Sequence, residues 1–365
     1  MSIIAIGIFS CNPDENAPEN PIAPESGEMA GLYVLSEGTG FGNNASLSYF
    51  DYETGNFTND YFDLKNPSEG GLGDVGNDVE VYGSKLYIVV NASNYVEVVD
   101  AKTAQHLGKI TVQDCRSITF DKGFAYVTSF AGATYNGATP RLGCVEKIDT
   151  ATLAVVGTVN VGYQPEELTV ANGKLYVANS GGYMPDNRSD KISVIDLNDF
   201  RVVKEIAVGV ENLSKIRTDK NGLVWVVSVG NYAEITPALS VINPATDEVA
   251  KTLNVNVTDF DLRGDSLYFY GSTFSMETYE NVNSFGIINI NSKTQVAENF
   301  ITDGTESQLL VPYGIKINPF NGDIFIADVL DYSSPGKVYC FDKTGTQKWV
   351  RTAGVCPAHF AFLKK

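Results

Sequence analysis

The stretch HFAFL, residues 359–363, stands at the end of the chain and decides the fold. Its apolar residues alternate as in a β-strand that buries one face, yet no further strand follows to pair with it. Such a strand must pair with an earlier part of the chain. Its partner is found by comparing HFAFL with the strands that repeat through the rest of the sequence.

Seven short strands share one pattern of aliphatic and aromatic residues, and from the second copy onward a turn signal precedes each of them. The signal often contains glycine, as in ANGK at 171–174, which is typical of tight hairpins. We name this repeated strand b. Its copies are GLYVLS (31–36), KLYIVV (85–90), FAYVTS (124–129), KLYVANS (174–180), LVWVVS (223–228), SLYFYGS (266–272) and DIFIAD (323–328).

Another strand, c, follows each copy of strand b and ends in Asp or Asn, and a turn then leads to a strand d such as VVKEIAVG (202–209). Asp and Asn side chains accept hydrogen bonds from backbone N–H groups two residues on and so close turns. The pattern therefore predicts a structural role rather than metal binding for these residues. They are Asp51, Asp100, Asp149, Asp196, Asn243, Asn289 and Asp342.

A strand a precedes six of the seven copies of strand b. The unit a-b-c-d recurs about every 50 residues, which is the spacing of propeller blades. The first unit begins directly at GLYVLS, and HFAFL supplies its missing strand a. The sequence thus predicts an all-β fold, a seven-bladed β-propeller over residues 30–365, closed by pairing of the C-terminal strand with the first blade. The six other copies are DVEVY (78–82), SITF (117–120), ELTV (167–170), KIRT (215–218), FDLR (260–263) and IKI (315–317).

The N-terminus differs from the rest of the chain. Residues 1–11 form a short apolar run that ends in Ser10 and Cys11, too short to span a bilayer. It resembles the end of a bacterial lipoprotein signal, in which the Cys is lipidated, although no Lys or Arg precedes the run. Residues 12–29 hold four prolines, five acidic residues and no basic one. We expect an extended, solvated tether there, and lipidation at Cys11.

Charge and cysteine content narrow the functional classes. The formal net charge of −18 excludes a nucleic-acid-binding role, because phosphate backbones are bound by clustered Lys and Arg. Cys115, Cys144, Cys340 and Cys356 lack the spacing of a zinc site. Two interpretations stay open for them, namely buried free thiols or a disulfide between Cys115 and Cys144.

Loop length and variety are concentrated on one predicted face of the ring, where the b–c and d–a loops lie, whereas the a–b and c–d turns are short. Aromatic residues alternate there with neutral amides, a composition typical of adaptable ligand recognition. Arg116 is predicted either to contact a ligand phosphate or amide or to form a salt bridge within the rim. The candidate ligand-binding residues are Phe41, Asn43, Asn94, Arg116, Phe130, Tyr135, Gln164, Asn179, Tyr183, Asn212, Tyr232, Phe274, Tyr313, Tyr332 and His359.

Catalytic signals are weak, so we predict a binding protein without a cofactor or resident metal rather than an enzyme. No GxSxG or HExxH pattern is present. Calcium binding at Asp186, Asn187 and Asp190 is less favoured than a solvated turn, because their spacing is not that of an EF-hand. The enzymatic alternative, a lactonase-like hydrolase with a metal at the channel mouth, would use Asp78, Glu166, Asp259, Asp328 and His359.

The repeat itself resembles a known family. KLYVANS followed by KISVIDLNDFRVVKEIAVG (191–209) is similar to the YVTN repeat of surface-layer-type seven-bladed propellers, and this resemblance covers nearly the whole chain. Acidic residues directly after Cys11 resemble the surface-export signal of Bacteroidetes lipoproteins.

Together, these features resemble the BtuG-type surface lipoproteins of that group. The resemblance implies capture of a corrinoid, cobalamin (vitamin B12), at the cell surface of the outer membrane and its delivery to a TonB-dependent transporter. A cell-surface scaffold that binds other proteins is a further alternative.

Overall fold

The computed structural model describes residues 29–132 and 140–365. This part of the chain contains 28 β-strands, one short α-helix, α1 (Tyr61–Lys65), and two 3₁₀ turns, Pro185–Asn187 and Thr305–Gln308. The first half of the strands are β1 (Met29–Ser36), β2 (Ser46–Asp51), β3 (Phe57–Thr58), β4 (Gly76–Tyr82), β5 (Lys85–Val90), β6 (Tyr95–Asp100), β7 (His106–Thr111), β8 (Cys115–Asp121), β9 (Phe124–Ser129), β10 (Cys144–Asp149), β11 (Val155–Asn160), β12 (Pro165–Ala171), β13 (Lys174–Asn179) and β14 (Lys191–Asp196).

The second half completes the ring with the same alternation of short strands and turns. These strands are β15 (Arg201–Ala207), β16 (Leu213–Thr218), β17 (Val224–Ser228), β18 (Ala238–Asn243), β19 (Glu248–Leu253), β20 (Asp259–Arg263), β21 (Ser266–Phe274), β22 (Asn281–Asn289), β23 (Thr294–Ala297), β24 (Pro312–Ile317), β25 (Ile324–Asp328), β26 (Pro335–Phe341), β27 (Gln347–Val355) and β28 (Pro357–Lys364).

The strands form seven four-stranded antiparallel sheets, which confirms the predicted seven-bladed propeller. Blade 1 has the order β28-β1-β2-β3, and blades 2 to 7 each use four consecutive strands, beginning with β4. Strand β28 pairs antiparallel with β1, so that Phe360 lies opposite Val34 and Phe362 opposite Leu32. The C-terminal strand therefore closes the ring and leaves no free edge at the seam.

Strand b is apolar at nearly every position because both of its faces are buried between blades. In β1, Leu32 and Val34 pack against Phe325 of blade 7. The alternate residue Leu35 packs against Leu86 of blade 2. Side chains alternate between the two faces of a strand, so the two sets serve two different blade interfaces.

The seven Asp and Asn residues at the ends of strand c close their turns as predicted. In blade 3, for example, Asp149 Oδ1 accepts hydrogen bonds from the backbone N–H groups of Ala151 (2.9 Å) and Thr152 (2.8 Å). The side-chain Oδ1 of each of the other six accepts at least one backbone N–H of its own turn, and these are Asp51, Asp100, Asp196, Asn243, Asn289 and Asp342.

The cysteines in the described residues are buried free thiols, which decides between the two interpretations left open by the sequence. Cys115 and Cys144 both lie opposite Ser129, one on each side of β9. Two strand spacings of about 4.8 Å separate them, beyond the Cα–Cα distance that a disulfide spans.

Candidate functional site

The two faces of the ring differ as predicted. The a–b and c–d turns, such as 83–84 and 101–105, are short and lie on one face. The b–c and d–a connections lie on the other, and several are long, including 37–45, 59–75 and 180–190. We call this second side the loop face.

One predicted loop is instead a β-hairpin. The segment 271–284 of blade 6 continues strands β21 and β22, which pair as far as Phe274 opposite Asn281. Its Gly, Ser and Asn content favours a loop from sequence alone, but the alternation of exposed and inward side chains permits continued pairing.

A cleft of about 900 Å³ opens on the loop face across blades 1 to 4. It brings together five of the predicted ligand-binding residues, one from blade 1, one from blade 2, two from blade 3 and one from blade 4. Phe41 and Tyr183 are 92% and 65% exposed. The five residues are Phe41, Asn94, Arg116, Phe130 and Tyr183.

Sequence reasoning missed several polar residues that line the same cleft. Asn91 and Asp114 come from the short connections 91–94 and 112–114, which carry no aromatic residue, and Asp74 lies near the end of the long connection 59–75. Asp74 and Asp114 stand two residues and one residue before strand a of their blades, β4 and β8, so position relative to the repeat was the signal that would have found them. Asp74 Oδ2 accepts a hydrogen bond from the backbone N–H of Phe41 (2.9 Å), which joins the loops of blades 1 and 2.

Arg116 forms the salt bridge that was one of its two predicted roles. Its Nε and one terminal nitrogen donate to Glu166 Oε2 at 3.0 and 2.9 Å, and the other terminal nitrogen donates to Asn77 Oδ1 at 2.9 Å. The guanidinium also lies 4.9 Å from the ring centre of Phe130. Burial disfavours its charge, but Glu166 together with Tyr183 and Glu37 more than offsets burial and raises the pKa of Arg116.

A second group of predicted residues meets at the channel mouth around Glu37, which the sequence analysis did not single out. Glu37 accepts hydrogen bonds from Tyr313 Oη (3.2 Å) and pairs with His359 Nε2 (3.2 Å). Tyr332 packs edge-on against Tyr313, with ring centres 5.8 Å apart. The Glu37 carboxylate, together with burial, raises the pKa of Tyr313 well above its usual range.

Three predicted amides are buried and hold the loops rather than face solvent. Asn179 accepts from the backbone N–H of Gly162 (3.0 Å) and donates to the carbonyl of Lys191 (3.0 Å). Gln164 Oε1 accepts from the backbone N–H of Tyr183 (2.8 Å), which holds the backbone of that loop. Asn212 donates to the Gly230 carbonyl. Their prediction as direct ligand contacts receives no support from this geometry.

The remaining predicted residues lie apart from the cleft. Tyr232 is 75% exposed and lies 5.8 Å from the Arg188 guanidinium, and Phe274 is 53% exposed on the blade 6 hairpin. Asn43 is exposed in the same loop as Phe41. Tyr135, like Cys11, lies outside the described residues.

The central channel is lined by paired charges. Its narrow part, about 190 Å³, contains Lys215 with Glu167 (2.8 Å) and Arg217 with Asp259 (2.8 Å). In the same part of the channel, burial raises the pKa of Glu80 to about 7, although Lys316 lies 3.8 Å away and opposes this shift.

Three channel carboxylates bind the backbone of the next blade. Asp78, Glu167 and Asp261 accept hydrogen bonds from the backbone N–H groups of Ile118 (3.0 Å), Ile216 (3.1 Å) and Ile317 (2.7 Å), respectively. The first two of these N–H groups lie where a bulge disturbs the pairing of strand a. The channel charges therefore fasten neighbouring blades.

The carboxylates that the enzymatic alternative requires are engaged in structural bonds. Asp328 accepts from the backbone N–H groups of Leu310 and Val311, Glu166 pairs with Arg116, and Asp259 pairs with Arg217. Within residues 29–132 and 140–365, no group of three His, Cys, Asp or Glu side chains is placed to hold a metal.

Comparison with known protein families identifies the family to which this chain belongs. The family described as "Domain of unknown function (DUF5074)" matches residues 30–359. The chain belongs to this DUF5074 family. Its match spans the repeats of all seven blades, and no curated protein matches the chain.

Solved structures share the fold with this DUF5074 protein. Hydrazine synthase from Kuenenia stuttgartiensis has a TM-score of 0.59 at 18% identity, over 73% of this chain and 76% of that one. A chain from a crystal structure of the mitotic checkpoint complex has a TM-score of 0.54 at 10% identity, over 96% and 87%. At these identities the likeness concerns the fold alone. In the described part of the chain, no helix is long and apolar enough to cross a membrane.

Proposed function

We propose that this DUF5074 protein is a ligand-capture protein whose binding site is the cleft on the loop face. The observation that carries the proposal is the combination of size and lining. The cleft volume of about 900 Å³ lies near the upper end of the range for small-molecule sites, about 300–1,000 Å³. Exposed aromatic rings and neutral amides line it, which suits a large ligand with an apolar body and a polar rim.

A corrinoid is our proposed ligand. It is broad, carries amides around its rim and offers a flat face to Phe41 and Tyr183. The YVTN-type repeat and the resemblance to BtuG-type lipoproteins support this choice. In the same proposal, a lipid on Cys11 and the acidic tether hold the propeller above the outer membrane at the cell surface, where it delivers cobalamin to a TonB-dependent transporter.

The first test is a calorimetric titration of the full-length chain with cyanocobalamin. We expect saturable heat with one site per chain and a rise in melting temperature that grows with ligand concentration. Absence of both heat and thermal shift at saturating cyanocobalamin would overturn the corrinoid assignment.

Matched aromatic variants locate the site. Phe41→Ala and Tyr183→Ala should each weaken binding by about tenfold, because each removes a stacking surface that contributes on the order of 1.4 kcal/mol. Phe274→Ala removes an exposed ring outside the cleft and should leave the affinity unchanged. If Phe274→Ala weakens binding as much as the other two, the cleft is not the site.

The blade 6 hairpin favours protein docking as a second role. Phe274, Met276, Tyr279 and Val282 are exposed on it, and Asn283 holds it upright by donating to the carbonyls of Leu309 and Leu310. Aromatic and Met side chains are enriched in protein interfaces. A capture protein that delivers its ligand needs such a docking surface, so this role accompanies the first one. The test is a Met276→Asp, Tyr279→Asp double variant. We expect it to bind the corrinoid normally but to lose co-purification with the transporter. Unchanged co-purification would contradict the docking role.

A further inference from the structure

Arg188 is a cation of the loop face whose terminal nitrogens are not hydrogen-bonded by the protein. It lies in the connection 180–190 of blade 4, directly after the cleft residue Asn187. The guanidinium forms no hydrogen bond with the described residues, and Nε is buried without an acceptor. The side chain as a whole is 18% exposed. Since Nε is the one nitrogen of this side chain buried in that way, the two terminal nitrogens still reach solvent and can donate to an incoming acceptor.

Glu211 is the nearest carboxylate, and its Oε1 lies 3.7 Å from one terminal nitrogen of Arg188. That distance exceeds a hydrogen bond, so the two charges attract one another without sharing a proton. Arg116 shows the contrast, because all three of its guanidinium nitrogens donate to Glu166 or Asn77. Of these two arginines, Arg188 is therefore the one with donors to offer a ligand.

Tyr232 of blade 5 lies against this cation. Its ring centre is 5.8 Å from the Arg188 guanidinium, and the residue is 75% exposed. Its backbone φ of 60° is unusual for a bulky residue and persists only where the surroundings enforce it, as in ligand clamps. Asn231 Oδ1 holds the turn by accepting the N–H groups of Ala233 (3.0 Å) and Ile235 (2.9 Å). An exposed ring is thus held rigidly beside a cation.

Asn212 joins the two loops that carry this pair. Its backbone N–H donates to the carbonyl of Ser189 (2.8 Å), the neighbour of Arg188. Its side-chain amide donates to the carbonyl of Gly230 (3.2 Å), two residues before Tyr232. Because Asn212 is buried, both bonds are shielded from water. The cation and the ring are therefore in place before any ligand arrives, which lowers the cost of binding.

From this arrangement we propose that Arg188 and Tyr232 form an oxyanion subsite beside the blade 4 wall of the cleft. It takes a phosphate or carboxylate group of the ligand, whose two oxygens match the planar fork of the guanidinium. The inference rests on the proposed function in placing the body of the ligand in the cleft. For a corrinoid, the anion is the phosphodiester of the nucleotide loop.

Glu211 competes with the ligand for Arg188. Because the pair has no hydrogen bond to lose, an oxyanion that reaches the terminal nitrogens displaces the carboxylate at small cost. Removing the Glu211 charge should then strengthen anion binding, whereas removing the Arg188 charge should weaken it. If the pair served only to hold the loop, both changes would break it and would act in the same direction.

The experiment compares two corrinoids, one with and one without the anion. Calorimetry on the full-length chain measures cyanocobalamin against dicyanocobinamide, which lacks the nucleotide loop and its phosphodiester. We expect the native chain to bind cyanocobalamin about tenfold more tightly. Arg188→Gln should reduce this ratio to below about threefold, and Glu211→Gln should raise it about threefold.

Arg201→Gln is the matched control, because it removes the same charge from an exposed position at the start of β15, on the turn face of the same blade. It should leave the ratio of the native chain unchanged. Equal affinity of the native chain for both corrinoids would overturn the inference. So would an unchanged ratio in Arg188→Gln, or a shift in the same direction in Arg188→Gln and Glu211→Gln.

A second probe pair separates this inference from the corrinoid assignment. If neither corrinoid binds, the corrinoid assignment fails, and fluorescence titration with 2-naphthyl phosphate and 2-naphthol then tests the subsite alone. The phosphate should bind more tightly than the alcohol, Arg188→Gln should weaken it, and Glu211→Gln should strengthen it. Equal binding of both probes, no binding of either, or equal weakening by Arg201→Gln would overturn the oxyanion subsite itself.

Discussion

The two faces of the ring are built from the same strands, but one carries short uniform turns and the other carries loops of varied length. On the turn face, all seven c–d turns use one device, an Asp or Asn that binds the backbone of its own turn. On the loop face, the b–c connections range from the tight segment 91–94 to the hairpin of blade 6 and share no common device. A short turn leaves few geometries available, whereas a long loop on a rigid frame is free to differ, and binding sites gather there.

The comparison depends on a closed ring, so the largest effect should come from opening it. Phe360→Ala truncates a buried side chain in the closing strand β28, and we expect a loss of about 3–5 kcal/mol in the free energy of unfolding. Urea unfolding followed by tryptophan fluorescence measures it. Deletion of the exposed Lys365 is the control and should change nothing. A stable Phe360→Ala protein would mean that the seam contributes little to the ring.

The channel carboxylates join neighbouring blades, and removing one should have the next largest effect on the free energy of unfolding. Asp78→Ala removes the acceptor for Ser117 Oγ and for the Ile118 N–H, and we expect it to cost about 1.5–3 kcal/mol, as for hydrogen bonds to charged groups. Asp78→Asn keeps an acceptor oxygen in the same place and should retain most of the stability. Equal losses in the two variants, measured by urea unfolding, would point to the charge rather than these hydrogen bonds.

Acid should weaken the turns of the turn face. The Thr103 N–H lowers the pKa of Asp100, and the Thr344 hydroxyl lowers the pKa of Asp342. A carboxyl whose pKa is lower in the folded chain contributes stability above its unfolded pKa of about 4, and this contribution is lost as pH falls through the lower folded value. The free energy of unfolding should therefore fall below about pH 4.

Asn243 provides the matched change for the acid prediction, because its turn has the same geometry without a charge. Asp100→Asn should flatten the fall of stability with acid, and Asn243→Asp should steepen it. Urea unfolding at a series of pH values from 6 to 3 measures both slopes. Parallel curves for the native chain and both variants would contradict the role given to these turns.

The loop face should show the smallest effect on stability. Phe41→Ala and Tyr183→Ala remove exposed rings, and each should change the free energy of unfolding by less than about 0.5 kcal/mol. Thermal unfolding without ligand is the measurement, and the buried Tyr176→Ala provides a contrasting variant that should destabilise strongly. A large loss in Phe41→Ala would show that its loop stabilises the ring, so that the two faces differ less than described.

Part of the candidate site was predictable because aromatic residues in long loops are visible in the sequence. Phe41, Asn94, Arg116, Phe130 and Tyr183 were predicted and meet in one cleft. Asp74 and Asp114 were not predicted, since in a chain rich in acidic residues only their position just before strand a distinguishes them. Gln164 and Asn179 show the opposite error. They were predicted as ligand contacts, but their amides are buried and form hydrogen bonds that hold loops. Sequence alone does not distinguish an amide that faces solvent from one that binds a backbone.

By itself, the sequence determined the repeating strands, the turns closed by Asp or Asn, and the closure of the ring by HFAFL. These follow from local alternation, turn chemistry and a count of strands, each of which is written in neighbouring residues. Only the tertiary structure decided which loops face one another, that Glu166 neutralises Arg116, and that Tyr232 lies against Arg188. Those contacts join residues from different blades, and their distances are set by the curvature of the closed ring rather than by any local pattern.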